Sequence, residues 1–347
     1  MINLAINGFG RIGRMLLRAY LANPQKFDRL HIVAINDVAD PDTLLHLLQF
    51  DSTHGRLERL GITGEIAIAT DTPVLQLYRH GTLMTQILLF CQKDPQTLPW
   101  ASLNIDVVLE CTGHFRSYQG ASLHRSAGAK QVIIGAAPFD TVDASIVMGV
   151  NDYLLSRNLP IISGVSCTTQ ALVPLLHVLQ SHWGIDSVMM TEIHAVTADQ
   201  TVLDQAHRDP RRGRASGHNI IPTTSSSIHA TERVLPELIG KLCGYSVRVP
   251  TINVACIDVT VILSTDTDLT AVKQVLKQKA QSDLQGILQY NELPLVSGDF
   301  IGDSHSLIVD DNQLMQAGKQ LKLFAWYDNE VGYANRLLDM CQRLALT

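Results

Sequence analysis

A short apolar segment, Asn3 to Asn7, runs directly into Gly8-Phe9-Gly10-Arg11-Ile12-Gly13, and the helical periodicity of Arg11 to Leu21 follows at once. A strand, a G-x-G-x-x-G turn and a helix in that order open a dinucleotide-binding βαβ unit. Gly8, Gly10 and Gly13 let the backbone turn tightly and approach a pyrophosphate, and the helix N-terminus offers it N–H groups and partial positive charge. The next strand, His31 to Asn36, ends at Asp37, at about the spacing where a carboxylate accepts the ribose 2′-hydroxyl. A 2′-phosphate there meets like charge, so Asp37 favours NAD over NADP. Further apolar runs, Ile105 to Glu110 and Gln131 to Ile134, alternate with helical segments at Pro41 to Phe50 and Gly120 to Ala127. This alternation predicts an α/β fold whose N-terminal part is a Rossmann-type, doubly wound, mostly parallel sheet.

A length of 347 residues favours two domains, and a hydrophobic share of 46% suffices for buried cores in both. The net charge of -6 gives no global field for nucleic acid or anionic lipid, so an anionic ligand needs a local basic pocket. Cys91, Cys111, Cys167, Cys243, Cys256 and Cys341 are scattered without paired Cys/His spacing, which predicts neither a metal site nor a disulfide framework. The chain opens on its first strand without a basic and apolar leader. No stretch approaches the roughly 18 uncharged apolar residues of a membrane span, and a cytoplasmic location is expected.

Beyond residue 166 the pattern changes. Leu172, Val173, Leu175, Leu176, Val178 and Leu179 recur at helical spacing, Ser166 and Thr168 offer cap oxygens, and Pro174 is expected close to the helix start. Cys167 therefore sits at a helix N-terminus, where a thiol pKa is lowered and the sulfur becomes nucleophilic. His194 follows in the strand Asp186 to Ala195. Taken singly, Cys167 reads more readily as a packing residue and His194 as a hydrogen-bonded structural histidine. Val247 to Val261 and Leu321 to Trp326 read as further strands of an α+β domain on a mixed, largely antiparallel sheet. The expected division is 1–166 with 331–347 against 167–330, with a last helix at Tyr333 to Leu346 returning to the first domain. Between the strands, His207 to Ser227 reads as a long loop carrying Arg208, Arg211, Arg212 and Arg214, while Arg248 opens Arg248-Val249-Pro250-Thr251. Guanidinium forks suit phosphate oxygens. Arg208 reads as a solvated charge, and the others read equally as solvated charges or phosphate ligands.

With these pieces in this order, the chain resembles the glyceraldehyde-3-phosphate dehydrogenase family essentially end to end. The resemblance rests on Ile6-Asn7-Gly8-Phe9-Gly10-Arg11-Ile12-Gly13-Arg14, His46-Leu47-Leu48, Asp51-Ser52-Thr53-His54-Gly55 and Glu110-Cys111-Thr112-Gly113. It continues through Ser166-Cys167-Thr168-Thr169, Asn219-Ile220-Ile221-Pro222, Arg248-Val249-Pro250-Thr251 and Asp328-Asn329-Glu330. It implies that Cys167 attacks the aldehyde of a phosphorylated sugar and that His194 serves as base while hydride leaves for NAD. Arg11, Ile12 and Thr112 would line the dinucleotide, and Asn329 would anchor the nicotinamide carboxamide. Thr197, Asp199 and Arg248 would form one phosphate site; Ser166, Thr168 and Arg212 would form a second, for inorganic phosphate. A homotetramer is also implied, with a sugar phosphate as the small-molecule partner and neither nucleic acid nor membrane.

Departures from the family pattern bear on the substrate. Ser225-Ser226-Ser227-Ile228-His229-Ala230 stands where Thr-Gly-Ala-Ala-Lys-Ala is usual, altering part of the inorganic-phosphate site at Ser225 and Ser226. Pro250-Thr251-Ile252-Asn253-Val254 and Glu292-Leu293-Pro294-Leu295-Val296 are similar to the D-erythrose-4-phosphate dehydrogenase branch. That branch implies oxidation of D-erythrose 4-phosphate to 4-phosphoerythronate with water, a step toward pyridoxal phosphate. Its rivals are a phosphorylating triose enzyme and a noncatalytic NAD-binding protein. Ser163-Gly164-Val165, Gln170, Gln205-Ala206 and Val331 also depart from the usual residues.

Overall fold

The computed structural model describes residues 1–346, which divide into two compact units. The first comprises Met1–Ile146, Asp152–Val165 and the chain from Ala334 on; the second comprises Val147–Asn151 and Ser166–Tyr333. The short segment at 147–151 thus groups with the second unit.

The first unit is built on a nine-stranded sheet. From one edge its strands are Ala144–Ser145, Ile161–Ser163, Gln131–Ile134, Val107–Glu110, Ile2–Asn7, Leu30–Asn36 and Thr82–Phe90, all parallel, followed by Thr72–Arg79 and Ile62–Ala69, which are antiparallel. The central strands are buried runs, as a sheet covered on both faces requires. Helices α1 (Arg11–Ala22), α2 (Pro41–Gln49) and α3 (Tyr118–Ser126) connect them, the last two capped by Asp40 and Ser117. The antiparallel hairpins at the edge have no counterpart in the sequence reading.

The second unit carries an eight-stranded mixed sheet. Its main path runs Ile221–Thr223, Leu242–Val249, Ile185–Ala195, Ala255–Leu263, Gln320–Tyr327, Leu307–Asp310 and Leu288–Asn291, with Met315–Ala317 also pairing with Gln320–Tyr327. Most of its pairings are antiparallel. The single strand expected at Val247 to Val261 is two strands that flank Ile185–Ala195 on opposite sides. Pro250 has no N–H to give a ladder, and Val254 takes a left-handed φ of 72°, so the chain leaves the sheet and crosses over. The loop at His207 to Ser227 likewise contains a short strand, Ile221–Thr223, before α5 (Ser227–Val234).

Helix α4 (Cys167–Trp183) packs across this sheet with Leu172, Val173, Leu175, Leu176, Val178 and Leu179 all buried, each contributing about 1.5–3 kcal/mol of transfer free energy. Pro174 lies inside α4 rather than near its start. Helices α6 (Leu269–Ala280) and α7 (Val331–Leu344) complete the chain, α7 passing into the first unit at Ala334.

Candidate active site

The first unit holds a cavity of about 470 Å³ at the carboxyl ends of its parallel strands, lined among others by Asn7, Gly8, Gly10, Asp37, Thr112 and Phe115. The three glycines meet three different demands. At Gly8, with φ 93°, a Cβ would lie 2.6 Å from the Thr112 nitrogen; at Gly13 it would lie 2.2 Å from the Gly8 carbonyl oxygen; at Gly10 it would project into open space. Gly8 and Gly13 are thus required by packing, while Gly10 leaves a ligand free approach to the N-terminus of α1. Asp37 secures this loop: Oδ2 accepts from the Phe9 N–H at 2.7 Å and Oδ1 from the Ala39 N–H at 3.0 Å. Cavity, bare glycine, helix N-terminus and carboxylate fit a dinucleotide.

Beneath the cavity lies a buried polar network that the sequence reading missed. The Glu110 carboxylate accepts from the Asn7 side-chain amide at 2.6 Å, from His124 Nε2 at 3.0 Å, and from the Thr112 N–H at 2.8 Å and its hydroxyl. Asn36 donates to Asn7 and exchanges hydrogen bonds with the Gln92 backbone. Arg11 and Ile12 stand in the first turn of α1, but the Arg11 guanidinium is spent on Asp51. Thr112 lines the cavity with its hydroxyl committed to Glu110.

In the second unit the sheet register does the positioning. His194 pairs with Arg248 on one side and Ala255 on the other, and Ala255 pairs with Tyr327, so Arg248, His194 and Tyr327 stand in one transverse row. Glu192, two residues before His194, shares its face. Cys167 is the first residue of α4, capped by Ser166, whose hydroxyl accepts from the Thr169 N–H at 3.1 Å. Val165, buried just before it, takes a left-handed φ of 52°, a strained state for a β-branched residue and part of how the chain turns into the helix.

Cys167 Sγ lies 3.6 Å from His194 Nε2. His194 Nδ1 is 2.7 Å from the Ala195 carbonyl, which only accepts, so Nδ1 carries a hydrogen and Nε2 is the nitrogen left to face the sulfur. Burial and the Glu192 carboxylate push the thiol up, and Arg248 with the Thr168 hydroxyl and N–H offsets only part of this. Burial and Arg248 hold the imidazole below its usual range, against the pull of Glu192, the Ala195 carbonyl and Glu330. Burial thus opposes the lowering of the thiol pKa expected from the helix N-terminus, and the sulfur lies beside a ring nitrogen placed to take its proton.

The expected phosphate ligands fare unevenly. Thr168 is buried and its hydroxyl bonds Glu192 at 2.9 Å and Tyr327 at 2.8 Å, so it is not presented to phosphate. Asp199, a carboxylate, holds Arg212 and Arg208 and lies 3.5 Å from His207, an anion among cations rather than a phosphate ligand. Thr197 turns its hydroxyl and N–H to Gln200. Arg248 is near Glu192, at 3.8 Å, and its buried Nε has no partner. Arg212 spends Nε on Thr223 at 2.8 Å and Nη2 on the Thr224 carbonyl, directly before Ser225. The Ser225 hydroxyl contacts that of Ser227, and Ser226 precedes α5 without a side-chain cap bond. The other arginines of the loop are exposed, with Arg214 paired to Asp204, so the supposed phosphate cluster reduces to Arg212. Asn329 is buried in the second unit, and its carboxamide oxygen has no partner, an acceptor that fits an amide donor such as a nicotinamide carboxamide. Glu192 and Tyr327 escaped sequence reasoning because only the register brings them to His194. Among the described residues no group of His, Cys, Asp and Glu could hold a metal, and no helix is long and apolar enough to cross a membrane.

Comparison with known proteins agrees with this arrangement. Residues 2–118 match the NAD binding domain model of glyceraldehyde 3-phosphate dehydrogenase, and residues 166–329 match the model of its C-terminal domain. The chain is 42% identical over 346 residues to glyceraldehyde-3-phosphate dehydrogenase 1 of Bacillus subtilis and to the glyceraldehyde-3-phosphate dehydrogenase of Geobacillus stearothermophilus, covering 99% of this chain and 98% of each relative. The glyceraldehyde-3-phosphate dehydrogenase of Priestia megaterium matches to the same extent. The dinucleotide cavity, the facing thiol and imidazole, and these matches along nearly the whole chain together establish that it belongs to the glyceraldehyde-3-phosphate dehydrogenase family, oxidoreductases that act on an aldehyde group with NAD.

Proposed function

We propose that the chain oxidises D-erythrose 4-phosphate to 4-phosphoerythronate with NAD and water, through a thioester on Cys167. The observation that carries the chemistry is the 3.6 Å approach of Cys167 Sγ to Nε2 of His194. His194 takes the thiol proton as sulfur bonds to the aldehyde carbon, and returns it to the carbonyl oxygen to complete the thiohemiacetal. It then removes that hydroxyl proton as the C–H bond breaks, leaving the thioester. NAD, when bound, would supply the hydride acceptor; the glycine loop and Asp37 would hold its adenosine and pyrophosphate, and Asn329 would accept from its carboxamide. The N-terminus of α4 supports the developing oxyanion. His194 then releases that proton to solvent and deprotonates water, which attacks the thioester carbon; the C–S bond breaks and the proton returns from His194 to Cys167, which leaves as thiol.

Two features support water as acceptor. Arg212, the cation of the supposed inorganic-phosphate site, is already met by Asp199, Asp209, Thr223 and Thr224. The serines at 225–227 and the motifs at 250–254 and 292–296 point the same way. A phosphorylating triose enzyme is the second reading, favoured by relatives at 42% identity that are named glyceraldehyde-3-phosphate dehydrogenase. By the family likeness we also place the protein in the cytoplasm as a homotetramer. The test is NADH formation from D-erythrose 4-phosphate and from glyceraldehyde 3-phosphate, each with and without inorganic phosphate. Faster, phosphate-independent turnover of the tetrose supports the proposal; phosphate-dependent preference for the triose replaces it with the second reading.

A further inference from the structure

The reacting pair has a third neighbour with no part in the mechanism above. Glu192 is buried, with 3% of its side chain exposed. One carboxylate oxygen accepts from the Thr168 hydroxyl at 2.9 Å and lies 4.0 Å from His194 Nε2 and 3.8 Å from the Arg248 guanidinium. Thr168 Oγ1 is in turn 3.9 Å from Cys167 Sγ. The groups facing His194 are thus Cys167 from α4, Glu192 on its own strand, Arg248 from the neighbouring strand, the Tyr327 ring at 6.2 Å from the far side of the row, and Glu330 from the turn before α7. Burying a carboxylate costs several kcal/mol unless it is paired, and its partners here are members of the site.

We propose that Glu192 is a positioning residue of the reacting pair: its carboxylate fixes the Thr168 hydroxyl beside the sulfur and supports positive charge on His194 while the imidazole holds the proton. In a Ser-His-Asp triad the carboxylate binds Nδ1. Here Nδ1 is occupied by the Ala195 carbonyl, and the carboxylate approaches Nε2, the nitrogen on which the travelling proton arrives. A negative charge at this place strengthens the base and opposes ionisation of the thiol. The site trades thiolate content for the ability to hold a proton, which the hydride step and the attack of water both use. The inference rests on the mechanism proposed above.

Glu192→Gln keeps the shape and the Thr168 bond while removing the charge, and Glu192→Asp keeps the charge on a shorter arm. Two profiles are recorded against pH for each variant: alkylation of Cys167 by iodoacetamide, which needs no substrate, and NADH formation. In Glu192→Gln the half-maximal point of alkylation and the acid limb of kcat both move to lower pH by about one unit or more, because removing a negative charge eases loss of a proton from sulfur and nitrogen alike. Plateau kcat falls about tenfold while KM stays within about twofold, the signature of a weaker base rather than lost binding. Glu192→Asp shows smaller displacements in the same direction, and carries the measurement if Glu192→Gln does not fold. If activity falls while both profiles superpose on those of the unmodified protein, Glu192 is only a packing residue and the proposal is overturned. If neither sugar phosphate is oxidised, the proposed function fails, while the alkylation profile still decides the role of Glu192.

Discussion

The indole N–H of Trp100 donates to His124 Nδ1 at 3.0 Å, and because an indole only donates, this bond places the hydrogen of His124 on Nε2 and turns it to Glu110. Glu110 thereby has a full set of donors for a charge buried at 1% exposure, and those donors include two residues that line the dinucleotide cavity, Asn7 and Thr112. Glu110→Gln confronts these donors with an amide. It is expected to lower unfolding free energy by about 3–5 kcal/mol in urea and to weaken NAD binding in the fraction that folds.

Cys167→Ala is expected to abolish NADH formation while leaving the NAD dissociation constant within about twofold, because the cavity belongs to the first unit and the thiol to the second. His194→Asn keeps NAD binding and lowers kcat by about 10²- to 10⁴-fold. Calorimetric titration beside stopped-flow absorbance separates binding from chemistry in both.

Asp37→Asn retains an acceptor for the Phe9 N–H but discharges the site. The ratio of kcat/KM for NAD over NADP is expected to fall by about tenfold or more, mostly through improved use of NADP. An unchanged ratio would place cofactor choice elsewhere.

Burial raises Asp51, but the His54 N–H, the hydrogen bond and charge of Arg11 and the Thr53 N–H outweigh it and bring the carboxyl to about 2. A folded-state pKa below the unfolded one stabilises at neutral pH, and that stability is lost as pH falls from about 4 toward about 2. Allowing for screening, Asp51 contributes on the order of 1–2 kcal/mol above that window. Thermal unfolding from pH 5 to pH 2 should show a shallower decline in Asp51→Asn than in the unmodified protein.

The dinucleotide frame was legible because its demands are local: Gly8 and Gly13 abut backbone, and Asp37 reaches back only to Phe9. Cys167 at the start of α4 was legible for the same reason. What the sequence hid depends on distant pairing. Glu192 acquires meaning only when Thr168 and Arg248 arrive beside it, and Glu110 only when Asn7 and His124 do. The hairpins from Ile62 to Phe90 turn at Thr70-Asp71 and His80-Gly81, all at positive φ, without the Asn-Gly or Asp-Gly pair that announces such turns. The arginine loop was left open between solvated charge and phosphate ligand, although Asp199, Asp204 and Asp209 lie before and among the arginines and bind Arg212 and Arg214. Pro250 marked the break in the supposed long strand.

Helix α7 lends its residues from Ala334 onward to the unit that the chain begins with, where Asp339 meets Lys26 at 2.8 Å and Cys341 is buried. During vectorial synthesis the first unit therefore waits for the last. Its sheet can assemble once the strand at Ile161–Ser163 has emerged, but its core stays open until α7 has followed, by which time the entire second unit has been made. A nascent chain thus exposes an unfinished nucleotide fold until α7 is made, and loss of that helix would disable the segment that was built first.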